Sequence, residues 1–255
     1  MTAKRGTGRA SVFPWLDEHE RFPFPKPDSA SPDGIVCIGG NLSPGMLLSA
    51  YSQGIFPWFN AEDPLLWWSP DPRFALLPEE LHVSDTMRKI IKKGRYRLSL
   101  DHAFAAVLRN CSSVPRPGQR GTWITEDMIE GYLRLHALGY AHSVEAWEGY
   151  TLVGGLYGIA LGSAFFGESM FSLAPDASKA AFIPLVWRLK DEGFTLIDSQ
   201  VRTQHVGSMG GRDMSRQEYL ARLEQALLAP TLRGSWAELL PGFPSSKTMG
   251  RLSLH

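Results

Sequence analysis

The chain has 255 residues, 44% of them apolar, and a formal charge of zero, so it can bury a full core and carries no global field toward nucleic acid or membrane. Cys37 and Cys111 cannot build a disulfide framework, and neither CxxC nor HExxH spacing occurs, so no metal site is expected. No run of about 18 apolar residues exists, which predicts no transmembrane helix; the basic stretch 1–10 reads as a tail rather than a signal segment, in a reducing, cytoplasmic setting.

Residues 11–35 are proline-rich and predict irregular structure over a surface. IVCIGG follows as a short extended segment. Ser43-Pro44 opens a helix, with serine as N-cap and proline at the first helical position, and Gly54 stops it. IFPW leaves in extended form, because the residue before a proline avoids helical geometry. LLWWSPDPRFAL reads as a strand interrupted by a turn at residues 69–72. Ser84 caps a short helix with Met87, Ile90 and Ile91 on one face and Arg88, Lys89, Lys92 and Lys93 around it; Arg95 and Arg97 follow. RYRLSL predicts a strand, and Asp101 the cap of the next helix. Residues 110–121 form a loop, and Thr125 starts a helix that Gly139 ends.

A meander of three strands then runs through YAHSVEAW, TLVGGLYGIAL and AFFGESMF. A helix from Ser178 carries Ala181, Phe182, Leu185, Val186 and Leu189 on one stripe, with Pro184 expected to kink it. FTLIDSQ is a buried strand. Ser215-x-x-Glu218 is a capping box for a last helix, and residues 229–255 read as irregular. Meander, helix and further strand together resemble an acetyltransferase-like α/β (α+β) architecture, with the helix as the crossover.

Chemistry concentrates where strands end. In LIDSQ, alternation puts Asp198 and Gln200 on one face, either as a pair that orients a substrate amine or hydroxyl or as a bonded strand end. Glu168 sits in an otherwise apolar strand and needs donors or a cationic ligand, and Gly167 beside it marks a close approach. His142, Ser143 and Glu145 alternate faces and no serine occupies a nucleophile elbow, which argues against nucleophilic hydrolysis. Gly154, Gly155 and Gly158 lie in a strand pattern and not at a helix start, so a coenzyme A phosphate cradle is not expected. The cations from Arg88 to Arg97 are either a solvated helix face or a phosphate contact.

GGNLSPGMLLSAYSQGIFPWF, WWSPDPR, TWITEDM, AHSVEAW, LVGGLYG, FFGESMFS, ASK and LIDSQ, in this order over residues 33–220, resemble the leucyl/phenylalanyl-tRNA–protein transferase family. The resemblance implies a tail to residue 32, a small N-terminal domain over 33–75, an acetyltransferase-like catalytic domain over 76–228 and an irregular segment from 229. It implies transfer of Leu or Phe, and less readily Met, from aminoacyl-tRNA to proteins that begin with Arg or Lys, marking them for N-end rule degradation. A cytoplasmic monomer without cofactor or membrane is expected, with an inactive tRNA-binding protein of the same fold as the alternative.

Carried onto this chain, the resemblance makes Asp198 and Gln200 catalytic, with Gln200 touching the α-amine and Asp198 polarising Gln200. Glu168 anchors the aminoacyl end. Trp58 and Trp123 wall the terminal adenosine and aminoacyl group, and Leu156, Gly167, Leu185, Leu189 and Ile197 form the apolar pocket. Arg88, Lys89, Lys92, Lys93 and Arg95 contact the acceptor stem. One position departs: Thr203 stands where the family usually has Asn, which leaves acceptor choice open.

Overall fold

The computed structural model of the protein describes residues 13–60, 62–113 and 124–244. In chain order the elements are β1 (Ile35–Ile38), α1 (Pro44–Ser52), β2 (Phe56–Pro57), β3 (Leu66–Trp68), β4 (Arg73–Leu76), α2 (Asp85–Lys92), β5 (Arg97–Leu100), α3 (Phe104–Ser113) and α4 (Glu126–Ala137). There follow β6 (Ala141–Glu148), β7 (Thr151–Leu161), β8 (Ala164–Ser172), α5 (Ala177–Asp191), β9 (Leu196–Asp198), α6 (Gln204–Gly207), β10 (Arg212–Met214), α7 (Arg216–Leu227) and α8 (Trp236–Leu239).

The strands form two sheets. A small one has the order β1-β3-β2, and a seven-stranded one runs β10-β4-β9-β8-β7-β6-β5. This is the mixed α+β architecture that the sequence predicts, with a small N-terminal part. LLWWSPDPRFAL is not one interrupted strand, however: β3 and β4 lie in different sheets, parted by the turn through Pro70 and Pro72. Proline cannot donate to a ladder, so the pairing has to stop there.

The large sheet is antiparallel except at one place. β8 pairs with β9 in parallel, and α5 is the crossover between them. α5 runs through Pro184 as one helix from Ala177 to Asp191. Alternation along the strands divides the apolar residues between two cores. Leu156, Phe165 and Ile197 pack with α5, while Tyr157, Ile159, Phe166 and Leu196 pack with α1, α3 and α4. The second of these cores also takes in Trp67 and Phe56, so the small sheet is joined to the large one by shared apolar packing.

Local signals account for most helix starts. Ser84 accepts from the Met87 amide, Thr125 from that of Met128 and Ser215 from that of Glu218. Asp101 does not cap α3 as predicted. With φ of 54° it turns its carboxylate to the Ser143 and Trp236 amides and to His142 Nδ1. The amides of His102 and Ala103 are instead received by Glu145, from β6.

Candidate active site

The register of β8 and β9 creates the site. Their pairing covers Ala164, Phe165 and Phe166 against Leu196, Ile197 and Asp198 and then ends. β8 continues to Ser172 with β7 on its other side, while the chain after Asp198 turns away. The turn is at Gln200, which has a φ of 63°, in the left-handed region. Where the strands part, a cavity of about 290 Å3 opens. Leu156, Met170, Phe182, Ile197 and Val206 line it from the α5 side, and Phe56, Trp58, Tyr157 and Glu168 from the other, so the hollow passes through the plane of the sheet.

Within this apolar lining sit two buried polar side chains that meet each other. Gln200 Nε2 donates to Glu168 Oε1 at 2.6 Å. Tyr132 from α4 donates its hydroxyl to Glu168 Oε2 at 2.7 Å, and Tyr51 from α1 lies 2.6 Å from the Tyr132 hydroxyl. The donors that Glu168 was expected to need are therefore two tyrosines and an amide. Burial pushes the Glu168 carboxyl up to about 7, while hydrogen bonds from Tyr132, Tyr51 and Gln200 pull it down and the charge of Asp198 adds to the rise.

Asp198 has a different environment. It is fully buried and bidentate to Arg73: Oδ1 accepts from Nε at 3.0 Å and Oδ2 from Nη2 at 2.7 Å. Tyr219 of α7 donates to Oδ2 at 2.7 Å. The remaining contact is the Gln200 backbone amide, which donates to Oδ1 at 2.8 Å. Asp198 thus reaches Gln200 through its main chain and does not polarise its side-chain amide; the partner of that amide is Glu168. Arg73 also donates to the Gly54 carbonyl and lies between the rings of Phe56 and Tyr219, at 4.7 and 4.4 Å from their centres.

Of the other residues expected at the site, Trp58, Leu156, Gly167, Ile197 and Thr203 line the cavity. The Trp58 ring packs 5.5 Å from that of Trp68, whose indole N–H donates to the Trp58 carbonyl. The Thr203 hydroxyl is engaged as the N-cap of α6, accepting from the Val206 amide. Leu185 and Leu189 do not line it: they are fully buried between α5 and the sheet. Helical spacing explains this, because Phe182 reaches the cavity and the two leucines lie one and two turns further along α5. Trp123 lies outside the described residues. Arg88, Lys89, Lys92, Lys93 and Arg95 lie on or just after α2, away from its buried Met87 and Ile91; all but the half-buried Arg88 are exposed.

Sequence reasoning passed over Tyr51, Tyr132, Arg73, Tyr219, Met170 and Phe182 as site residues. Arg73 carried a usable signal: an arginine within the apolar run RFAL, of the same kind as the glutamate within FFGESMF. The tyrosines gave none, since their hydroxyls converge only in the fold.

His142, Ser143 and Glu145 form no catalytic triad. His142 stacks on Trp236 and bonds Asp101, and Ser143 bonds Glu145 on the opposite face. Among the described residues no group of three or more His, Cys, Asp or Glu is placed to hold a metal ion, and no helix is long and apolar enough to cross a membrane.

The chain matches two family profiles, "Leucyl/phenylalanyl-tRNA protein transferase" over residues 75–224 and "Leucyl/phenylalanyl-tRNA protein transferase N-terminal domain" over 40–71. Among curated relatives, the leucyl/phenylalanyl-tRNA–protein transferase of Anaeromyxobacter dehalogenans (strain 2CP-C) is 56% identical over 87% of this chain and 95% of its own. That of Myxococcus xanthus (strain DK1622) is 53% identical over 89% and 97%. The solved structure of L-PGS from Bacillus licheniformis aligns at a TM-score of 0.36 and 16% identity, over 54% of this chain and 48% of its own. With the larger profile covering β5 to β10 and the cavity between β8 and β9, and relatives of more than 50% identity matching over most of both chains, the chain belongs to the leucyl/phenylalanyl-tRNA–protein transferase family, whose members are aminoacyltransferases.

Proposed function

We propose that the cavity between β8 and β9 receives the aminoacyl end of Leu-tRNA or Phe-tRNA, and less readily Met-tRNA, and passes the amino acid to the N-terminal amine of proteins that begin with Arg or Lys. In this reading the product enters N-end rule degradation and the protein acts as a cytoplasmic monomer without a cofactor. The observation that carries it is an apolar hollow of about 290 Å3 with one buried carboxyl–amide couple, Glu168 and Gln200, on its wall. Such a hollow suits a leucine or phenylalanine side chain, and the polar couple suits the reacting amine and ester.

The chemistry asks little of the protein beyond placement. The amine nitrogen attacks the ester carbonyl carbon, a C–N bond forms and the C–O bond to the ribose breaks. The nitrogen loses a proton and the ribose oxygen gains one. Holding the amine against the carbonyl supplies most of the acceleration. Gln200, fixed through Nε2 to Glu168, has its carbonyl oxygen to accept from the amine. Asp198 serves by fixing the Gln200 main chain. Glu168, near neutrality, is placed to exchange a proton, with a path through the ribose hydroxyl as the other route.

Trp58 at the mouth offers a face for the terminal adenosine, and the exposed cations of α2 offer phosphate contacts. A second hollow, of about 970 Å3, is lined by Phe59, the residue after Trp58, and by Asp63, Glu126, Asp127 and Glu130 with Arg134, a net acidic set that matches the charge of a basic acceptor residue. The test is to incubate the protein with Phe-tRNA and a peptide that begins with Arg and to look for Phe at its N-terminus by mass spectrometry. Transfer is expected; intact tRNA binding without transfer would favour an inactive tRNA-binding protein.

A further inference from the structure

Both oxygens of Glu168 already accept hydrogen bonds, Oε1 from Gln200 Nε2 at 2.6 Å and Oε2 from the Tyr132 hydroxyl at 2.7 Å. A tyrosine hydroxyl has one hydrogen. Tyr132 spends it on Glu168, so across the 2.6 Å between the two hydroxyl oxygens it is Tyr51 that donates and Tyr132 that accepts. The order is Tyr51, Tyr132, Glu168, with Gln200 reaching the carboxylate from the other side. Tyr51 comes from α1 and Tyr132 from α4, and both are fully buried. These donors give hydrogens to Glu168 and take none, so the set is complete for a carboxylate. A proton settles on Glu168 only where one of them turns acceptor.

The two oxygens differ in what that takes. On Oε1 the Gln200 amide would have to flip, because its amino group and its carbonyl are separate ends, and the carbonyl would leave the cavity. On Oε2 a rotation is enough, because a hydroxyl donates and accepts through the same oxygen. Glu168 then donates to Tyr132, Tyr132 donates to Tyr51, and the heavy atoms stay where they are. The other titratable groups around Glu168 are Tyr157 of β7 and His205 of α6, which line the same cavity, and Asp198 of β9 with Arg73 of β4 beside it. Burial raises the Glu168 carboxyl, and the bonds from Tyr132, Tyr51 and Gln200 oppose that rise.

We infer that Tyr132, with Tyr51 behind it, is a positioning residue for proton transfer: the two hydroxyls reverse so that Glu168 carries the reaction's proton on Oε2 while Gln200 keeps its carbonyl toward the cavity. The N–H bond of the attacking amine breaks, the Oε2–H bond forms, and the charge of Glu168 is neutralised. As the C–O bond to the ribose breaks, the proton passes from Oε2 to the ribose oxygen and the hydroxyls turn back. This rests on the proposed function, in its form with Glu168 as the proton carrier.

The test uses Tyr132→Phe and Tyr51→Phe, each of which keeps the ring and removes one hydroxyl. Two quantities are measured against pH. One is the carbon-13 shift of the Glu168 carboxyl in glutamate-labelled protein, assigned by its loss in Glu168→Gln. The other is kcat for transfer from Phe-tRNA to an Arg-initiated peptide. In the wild type the carboxyl titration and the acid limb of kcat should share a midpoint of about 7. Tyr132→Phe removes a donor that favours the ionised form over the neutral one, so both midpoints should rise by about one pH unit. Tyr51→Phe should move both in the same direction by less, and Glu168→Gln should abolish the limb. KM for Phe-tRNA and for the peptide should stay as in the wild type. A kcat lowered equally at every pH, with the limb in place, would reduce the tyrosines to packing and overturn the inference. A carboxyl titration that moves while the limb does not would also overturn it, and would send the proton through the ribose hydroxyl. Should the wild type transfer nothing at any pH, the proposed function fails; should the titration of Glu168 stay put in Tyr132→Phe, the tyrosine assignment fails whatever the turnover.

Discussion

Gln200 and Glu168 meet at 2.6 Å although β8 and β9 have already parted. Their side chains bridge the gap that their backbones leave, so the wedge is closed at one wall and open beside it. Each end of the bridge is separately braced. Glu168 is held by Tyr132 with Tyr51 behind it, and Gln200 is held in its left-handed turn by Asp198. The site is therefore built from α1, α4, β4, β8, β9 and α7 at once, and the couple is braced only where these elements pack together.

The Glu168 carboxyl, raised to about 7 from 4.5, sets a pH dependence of stability. The folded protein keeps this proton to a higher pH than the unfolded chain does, so between those values the folded state binds more protons. Stability from this group is then lost as pH rises from about 4.5 to about 7, by roughly 3 kcal/mol in full. His142 and His205, both lowered, contribute with the opposite sign. The difference between wild type and Glu168→Gln isolates the carboxyl: the variant should gain on the wild type by up to that amount between pH 5 and 8 in urea titrations. A constant difference across that range would show that Glu168 does not titrate there.

Arg73 and Asp198 form a buried, bidentate pair, and removing one partner leaves the other charge uncompensated. Asp198→Asn and Arg73→Met should each cost about 3–5 kcal/mol. The double variant should cost clearly less than their sum, because the charge is then removed along with its partner. Turnover should fall further than tRNA binding in Asp198→Ala, which removes the oxygen that accepts from the Gln200 amide and fixes its turn while α2 is untouched. Additive stability losses in chemical denaturation would count against a coupled pair.

The local elements were legible because their signals are local. Ser84, Thr125 and Ser215 act as caps where the sequence placed them, and the meander, crossover helix and last buried strand follow from periodicity. What depends on distant partners was not. Asp101 resembles a helix cap in sequence, but its φ of 54° and its bonds to Ser143, His142 and Trp236 put it elsewhere. Leu185 and Leu189 have the right chemistry for a pocket and the wrong position along α5. Asp198 and Gln200 stood out as unusual residues at a strand end, yet their partners, Arg73 and Glu168, come from β4 and β8, and no spacing in the chain announces those pairings.

Two glycines separate what the fold needs from what the cavity needs. A Cβ on Gly158, at the β7–β8 irregularity, would lie 2.2 Å from the Phe166 carbonyl oxygen. Gly158→Ala should therefore destabilise the protein by more than 1 kcal/mol and lower its melting temperature. A Cβ on Gly167 would meet only the Asp198 carbonyl oxygen at 3.6 Å and Phe165 at 3.9 Å, both ordinary contacts. Gly167→Ala should fold normally, yet its methyl narrows the cavity wall. It should lower kcat/KM for Phe-tRNA more than for the smaller Leu-tRNA, by a ratio on the order of tenfold. An unchanged Phe-to-Leu ratio would place the donor side chain elsewhere.

The cations of α2 decide how the tRNA is held outside the cavity. Met87 and Ile91 anchor the helix, and Lys92, Lys93 and Arg95 stand exposed at its end, Arg95 with its guanidinium over the Tyr96 ring. Their replacement by Gln should leave the melting temperature nearly unchanged, because isolated surface charges contribute little to folding. Each duplex phosphate lost lowers the slope of log affinity against log salt by about 0.9, so the triple variant should lose roughly 2–3 from that slope and bind tRNA much more weakly at low salt. Transfer at saturating Phe-tRNA should persist, since the cavity is unaltered. A triple variant with the wild-type salt slope would remove α2 from the tRNA contact and leave the phosphate-binding face to be sought on another element.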